Sequence, residues 1–448
     1  MKKLLSTTAM AVVLAATSLG TVQAQEEELR RVIEQQQQEL ERLKERLDRM
    51  EGDGWSAQQQ IERIERMREE DLADTVTRGD HPGSFKLPGT STSVAIGGYV
   101  KADFIYDIGP DVGDTFAASA IPADGSDADR KNGNFRAHAR QTRLNFTSWT
   151  PTEVGEFKLF LEGDFFGTGG NQTFSNSTSF RLRHAFGEIG PVLAGQTWTL
   201  FMPLTSYPET VDFFGPAGIP FIRQGQLRYT HKIDDAWSVA GSIENSELSA
   251  RTQDGTTVGA DGGDLRFGVD TLPDVVAAVS DDRDGWHGQL AGVARLLDTE
   301  DAGSDDRALG WGLTASAVVP TFGDDSFQAN FTYGEGVGRY IINGFNQDAF
   351  IDDDGDLDTI TSWGLALGYT HHWHPKWRSN LVYGRYQVLD TSLATDTESL
   401  DTVHANLIWE PDPKLRFGVE YIFGRRAFDD GGLDNTAHRV QLAAQFLF

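Results

Sequence analysis

Residues 440–448, Val-Gln-Leu-Ala-Ala-Gln-Phe-Leu-Phe, alternate. Val440, Leu442, Ala444, Phe446 and Phe448 fall on one face of an extended strand, and Gln441, Ala443 and Gln445 on the other. A strand this apolar on one side, with no element after it in the sequence, is expected to need a closed sheet or a cap. The same alternation recurs through most of the chain from residue 93 onward. Repeated in this way, it points to a β-barrel whose outer face touches lipid.

Sixteen alternating segments can be drawn: 93–107, 138–149, 155–167, 180–189, 192–201, 225–232, 237–248, 274–281, 286–297, 308–319, 326–335, 360–373, 377–389, 399–410, 414–424 and 436–448. Several reach the nine to eleven residues that a tilted membrane strand needs. The connections alternate too. Short turns such as Pro151–Val154, Gly190-Pro191, Asp234-Asp235, Arg283–Gly285, Phe322–Asp325, His374–Lys376 and Pro411–Pro413 take turns with long polar stretches at 108–137, 202–224, 249–273, 336–359 and 425–435. Short turns on one rim and long loops on the other are what a membrane barrel requires, whereas a soluble sandwich has no reason to sort them. An even strand count brings both barrel ends to the same side.

The two faces agree with this reading. Leu415, Phe417, Val419, Tyr421 and Phe423 oppose Arg416, Gly418 and Glu420, while Phe157, Leu159, Leu161 and Phe165 oppose Lys158, Glu162 and Asp164. Charges on the second face suit a water-filled lumen and would be costly against lipid. Trp149, Trp237, Trp286, Trp373, Trp377 and Trp409 lie near strand ends and are expected in interfacial girdles.

Ahead of the barrel, three segments follow one another. Residues 1–24 have the form of a secretory signal, with Lys2 and Lys3, an apolar run from Leu4 to Ala16, and a small-residue site that places cleavage after Ala24. Residues 25–51 carry a heptad series, with Ile33, Leu40 and Leu47 at a and Leu29, Gln36, Leu43 and Met50 at d, expected to form a coiled coil. A single amphipathic helix lying on the barrel or the membrane is the alternative. Residues 52–92 then give a short helix, with Ile61, Ile64 and Met67, and a linker.

Composition narrows the function. The formal charge of -28 argues against nucleic acid as a partner, and the absence of cysteine removes disulfides, thiolate metal sites and thiol nucleophiles. Aspartates crowd the loops at Asp111, Asp114, Asp124, Asp127 and Asp129, and again at Asp352, Asp353, Asp354, Asp356 and Asp358. Basic side chains instead concentrate on the inner face of early strands: Lys101, Arg143, Lys158, Arg181, Arg183 and Arg228, with Arg223 just after the third long connection. That connection, 202–224, holds four prolines and Phe213-Phe214-Gly215, too apolar to wave in water. Folded inward it would narrow the channel and set Glu209 and Asp212 opposite the arginines. Arginines at a constriction attract anions and orient carboxylates. Small anionic organic solutes are therefore the expected cargo. The alternative has the arginines pairing with Asp103, Glu162, Asp164, Glu209 and Asp212, leaving a weakly selective general pore.

Four stretches, Thr92–Asp103, Arg140–Phe146, Gly195-Gln-Thr-Trp198 and Gly225–Tyr229, together with the heptad region, resemble the DcaP-like trimeric outer-membrane porins. The resemblance covers nearly all of residues 84–448. It implies a sixteen-stranded barrel per subunit, a homotrimer, a periplasmic N-terminal coiled coil and diffusion of small organic acids. Phe180–Phe186 matches the family's basic inner wall, whereas the aspartate-laden outer loops weigh against strong anion capture at the mouth. Outer-membrane lipid and lipopolysaccharide are the expected surroundings.

Other chemistry finds little support. Within His371-His-Trp-His374, His372 and His374 share a strand face but sit beside a turn and lack a third obvious ligand, so no metal is expected. In Asp352–Asp356 the sixth position of a calcium loop falls on Leu357 instead of glycine, which leaves loose bridging of divalent cations at the acidic loops and no fixed cofactor. No Gly-rich phosphate loop or spaced Ser-His-Asp set is present, so an outer-membrane hydrolase would lack a nucleophile. A barrel serving only to tether its coiled coil is a third alternative, and a filled core would not need sixteen strands.

Overall fold

A computed structural model describes residues 31, 33–46, 61–67, 75–130, 133–252, 257–259, 271–301, 304–342, 347–352, 356–389 and 396–448. The chain divides into two units, one through Thr77 with Leu87–Thr90, the other Arg78–Lys86 with Ser91–Phe448. In the first, residues 33–46 and 61–67 are helical. Ile33, Leu40 and Leu43 of the heptad series are exposed on the single chain, while Leu29, Leu47, Met50 and the signal segment lie outside the described residues. No helix among the described residues is long and apolar enough to cross a membrane; strands do the crossing.

The second unit is a closed barrel of sixteen antiparallel strands. These are β1 (Ser93–Asp107), β2 (Asn134–His138 and Arg143–Thr152), β3 (Gly155–Gly167), β4 (Ser179–Ile189), β5 (Val192–Trp198), β6 (Arg223–Lys232), β7 (Trp237–Glu244) and β8 (Asp274–Arg283). The second half holds β9 (Trp286–Asp301), β10 (Ser304–Pro320), β11 (Ser326–Glu335), β12 (Thr361–His374), β13 (Trp377–Val388), β14 (Thr397–Asp412), β15 (Leu415–Phe428) and β16 (Asn435–Leu447). Each strand pairs with the next, and β16 returns to β1 with Tyr99 opposite Leu447 and Asp107 opposite Arg439. Strand β2 is one strand in two pieces, because its two halves lie on successive parts of β1 around an interruption at 139–142.

The outer face is apolar as the alternation requires: Leu144, Leu227, Leu290, Leu381, Leu442 and Phe446 are all exposed on the isolated chain. Trp237, Trp286, Trp373, Trp377 and Trp409 are exposed near the short-turn rim, and Trp377 stacks on Trp409 at 5.5 Å. Trp149 departs from the girdle. It pairs across the sheet with inward-facing Lys158, and its ring stacks at 4.2 Å on His81 of the linker, whose Nε2 lies 3.0 Å from Glu156. Opposed residues share a face, so Trp149 points into the barrel mouth.

Three expected long loops differ. Strand β15 continues to Phe428, so the last connection shrinks to 429–434. The connections 245–273 (loop 4) and 336–360 (loop 6) carry short strands of their own, Ser249–Thr252, Thr257–Gly259, Ala349–Ile351 and Leu357–Thr359, joined in one four-stranded sheet. Loop polarity in the sequence hides this, since pairing between segments a hundred residues apart leaves no local pattern.

The seam between β1 and β16 is held by a buried ion pair. Arg439 donates through Nε and Nη2 to Asp107 at 2.6 and 3.0 Å, with both side chains fully buried. Removing one partner of such a pair leaves an uncompensated buried charge, at a cost of roughly 3–5 kcal/mol. Arg439→Met is therefore expected to lower the denaturant midpoint of the folded barrel in detergent by that equivalent, while Leu442→Met on the lipid face of the same strand should leave it near the parent value.

Candidate functional site

Loop 3 (199–222) enters the lumen and lies against β12–β15. Room for it comes from glycines on the inner face. A Cβ on Gly384 would meet the Ala217 carbonyl oxygen at 2.5 Å, one on Gly418 would meet Val211 at 2.7 Å, and Gly364 and Gly368 leave similar space for Gly218 and Pro208. Gly218 itself has φ of 86°, a conformation suited to glycine. The loop is then fastened by buried polar groups. Glu420, fully buried on β15, accepts from the N–H groups of Val211 (2.8 Å) and Asp212 (3.0 Å) and from Asn406 (2.9 Å). Thr402 accepts from Ala217 N–H, and Asn406 donates to the Glu209 carbonyl. Lys101 donates to the Val211 carbonyl at 2.8 Å and pairs with Asp103 at 3.1 Å.

Loop 3 is not alone inside. Val112, Phe116, Ala118 and Ile121 of loop 1 (108–133) form an apolar cluster with Ala217, Ile341 of loop 6, and Tyr386, Leu400, Ile422 and Ala437 of the wall. A second cluster joins Phe201, Val337 and Tyr340 to Val276, Ala278, Ala291 and Val293. Loops 1, 3 and 6 thus cover much of the β12–β16 wall, and loops 3 and 6 also cover part of β8 and β9.

Facing the tip of loop 3 is the basic wall. Phe213 is overlain by the guanidinium carbons of Arg183 (5.5 Å), Arg181 (5.6 Å) and Arg143 (5.9 Å), and stacks on Phe166 at 4.7 Å. Arg223 lies 4.6 Å over Trp198, which in turn packs on Phe221 of loop 3 at 4.5 Å. The carboxylates here are Glu162 and Asp164. Glu162 pairs with Arg183 at 2.7 Å and Arg143 at 3.7 Å, and Asp164 with Arg181 at 2.8 Å and Arg183 at 3.1 Å. Three guanidinium groups therefore share two carboxylates, and the fourth, Arg223, makes no ion pair among the described residues. Arg228 donates to Gln226 and to the Trp198 carbonyl, with no carboxylate partner among the described residues, whereas Lys158 pairs with Glu188 at 2.7 Å.

Glu209 and Asp212 do not face that wall. Glu209 takes a bidentate contact from Arg378 on β13 at 2.6 and 2.7 Å and lies 3.4 Å from Arg416, both of which also pair with Glu410. Asp212 accepts from the N–H groups of Phe116 and Phe214 and sits 3.6 Å from Arg439. Burial pushes its carboxyl above the ordinary range, with Arg439 opposing. Both acids anchor the loop. Of their partners, Arg378 escaped notice in the sequence, and Arg416 and Glu420 were read as inner-face residues without their role in holding the loop, although the alternating inner-face glycines on β12, β13 and β15 mark where a segment must lie against the wall. Among the described residues no group of three or more His, Cys, Asp or Glu could hold a metal ion.

The family model for the DcaP outer membrane protein matches residues 34–448. The chain belongs to this family. In fold it is similar to the outer membrane channel DcaP of Acinetobacter baumannii, at 24% identity over 82% of this chain and 100% of that one, with a TM-score of 0.71. It is also similar to an anion-selective porin from Comamonas acidovorans (14% identity, 80% and 100% coverage, TM-score 0.53) and to OmpF of Salmonella typhi (12%, 80% and 98%, 0.50). No curated protein matches the chain. Membership places this barrel in the outer membrane, as a transport protein and not an enzyme.

Glu420 is the test of how loop 3 is held. Glu420→Ala leaves two buried backbone N–H groups without an acceptor, at about 1–3 kcal/mol each. The expected result is a lower unfolding midpoint together with a noisier open channel in planar bilayers.

Proposed function

We propose that the protein is a porin for passive diffusion of small hydrophilic, preferentially anionic organic solutes. The observation that carries this is the charge excess beside Phe213, where Arg143, Arg181, Arg183 and Arg223 face only Glu162 and Asp164. Across the lumen Arg378 and Arg416 are balanced by Glu209 and Glu410, so the opposite wall adds no compensating field. Arg143, whose carboxylate partner lies 3.7 Å away, and Arg223, seated over Trp198 without an ion pair among the described residues, carry the charge left over for a passing carboxylate. The pore-lining set is Arg143, Lys158, Glu162, Arg181, Arg183, Arg223 and Arg228; Lys101 and Asp103, expected to line the pore, are buried and belong with Glu209 and Asp212 to the anchoring of loop 3. The runner-up, a weakly selective pore, is favoured by the complete pairing at Lys101–Asp103 and Lys158–Glu188.

Reversal potential in a salt gradient decides between them. The parent channel is expected to prefer anions at neutral pH, and Arg143→Gln/Arg181→Gln/Arg223→Gln to move it toward cations; a cation-preferring parent overturns the reading.

We further infer that residues 1–24 are removed after Ala24 and that 25–51 forms a periplasmic coiled coil in a homotrimer. The exposure of Ile33, Leu40 and Leu43 supports this, since an apolar seam left bare on one chain asks for another. Residues 52–92 serve as short helix and linker. Lipid and lipopolysaccharide surround the barrel, and divalent cations bridge loosely at the acidic outer loops. A peptide spanning 25–51 should sediment as a helical trimer; a monomer at high micromolar concentration rejects the coiled coil.

A further inference from the structure

Arg295, near the outer end of β9, is fully buried and uses every side of its guanidinium. Nε donates to Asp274 of β8 at 3.0 Å, Nη1 to the Gly336 carbonyl at 2.8 Å with Asp348 of loop 6 at 2.9 Å, and Nη2 to the Glu247 carbonyl of loop 4 at 2.6 Å. Asp348 accepts in turn from the N–H groups of Arg339 and Ser249. Tyr340 donates to Asp274 at 2.6 Å and accepts from Gln224, which also receives Arg339 and donates to Glu244. One buried network therefore ties loops 4 and 6 to the wall and to Gln224, just after loop 3.

Loop 6 runs from this network into the constriction. Ile342 N–H donates to the Ile219 carbonyl at 2.9 Å, Phe221 N–H to the Tyr340 carbonyl at 2.8 Å, and Gly218 N–H to the Ile342 carbonyl at 3.2 Å. Phe221 touches both Phe213 and Trp198, the rings that carry the arginines. The path from Arg295 to the basic wall is thus continuous backbone pairing and ring contact.

We propose that Arg295 is a positioning residue for the constriction, acting through loop 6, so that the seating of the outer loop sheet sets how steadily the channel stays open. This rests on the lumen being the solute path. A charged group buried without its partners is costly, so the network holds or releases as a unit.

The full-length protein in planar bilayers tests it. Arg295→Met and the near-isosteric Tyr340→Phe are expected to raise the frequency of brief closures at least about twofold. Because the chain has no native cysteine, Ala250→Cys and Ala349→Cys, at paired positions of loops 4 and 6, give a clean cross-link. Oxidation in the Arg295→Met background should return closures to the parent level, and reductant should bring them back. Tyr340→Phe closing like the parent, or closures in folded Arg295→Met that ignore the cross-link, overturns the proposal. Reversal potential in the same records should stay at the parent value, which keeps this outcome separate from the anion preference: a cation-preferring parent fails that reading and leaves the closure result to stand or fall alone.

Discussion

Backbone pairing in lipid is the constraint from which everything else follows. Hydrocarbon offers no partner to an N–H or a carbonyl, so a sheet that crosses it must close on itself. Here closure falls between β1 and β16, where Asp107 and Arg439 meet across the seam and Tyr99 opposes Leu447. Once the ladder is closed, the twofold alternation of each strand has only one consistent assignment, apolar side chains to lipid and polar ones to the interior. The charge clusters of the lumen exist because that assignment is forced.

A sixteen-stranded cylinder is too wide for side chains alone to fill. The chain meets this with its own loops. Loop 3 occupies a bed of inner-face glycines, loop 1 contributes Phe116 and Ile121, and loop 6 contributes Tyr340 and Ile341. The filling is lopsided, covering the wall of β12–β16 and part of β8 and β9, and leaving the arginines of β2, β4 and β6 beside the tip of loop 3. Selectivity then depends on a count of charges within a few ångströms. Where acids and bases are matched, as at Arg378, Arg416, Glu209 and Glu410, the local field cancels; where three guanidinium groups share Glu162 and Asp164 and Arg223 stands beside them, it does not.

Much of the barrel was legible because its signal is local. Period-two alternation, short turns and aromatic ends are written within ten residues, and strands such as 93–107, 155–167 and 326–335 coincide with those drawn from the sequence. Trp149 shows the limit: aromatic character and closeness to a turn suggested a lipid girdle, but its cross-strand partner Lys158 turns it inward onto His81. Glu209 and Asp212 show another. Their presence in an inward loop could be anticipated, but whether they face the pore arginines or the far wall depends on how the loop is bedded.

The sequence by itself determined the barrel, its strand number, the sidedness of its loops and the concentration of basic residues on an inner face, since each follows from periodicity along one segment. Tertiary structure alone decided which charges neutralise one another, which loops join loop 3 in the lumen and how loops 4 and 6 combine into a sheet. These depend on contacts between residues one to three hundred positions apart, such as Ala250 with Ala349 or Val211 with Glu420. No local pattern encodes such distances, because the pairing energy is realised only when the closed wall brings the segments together.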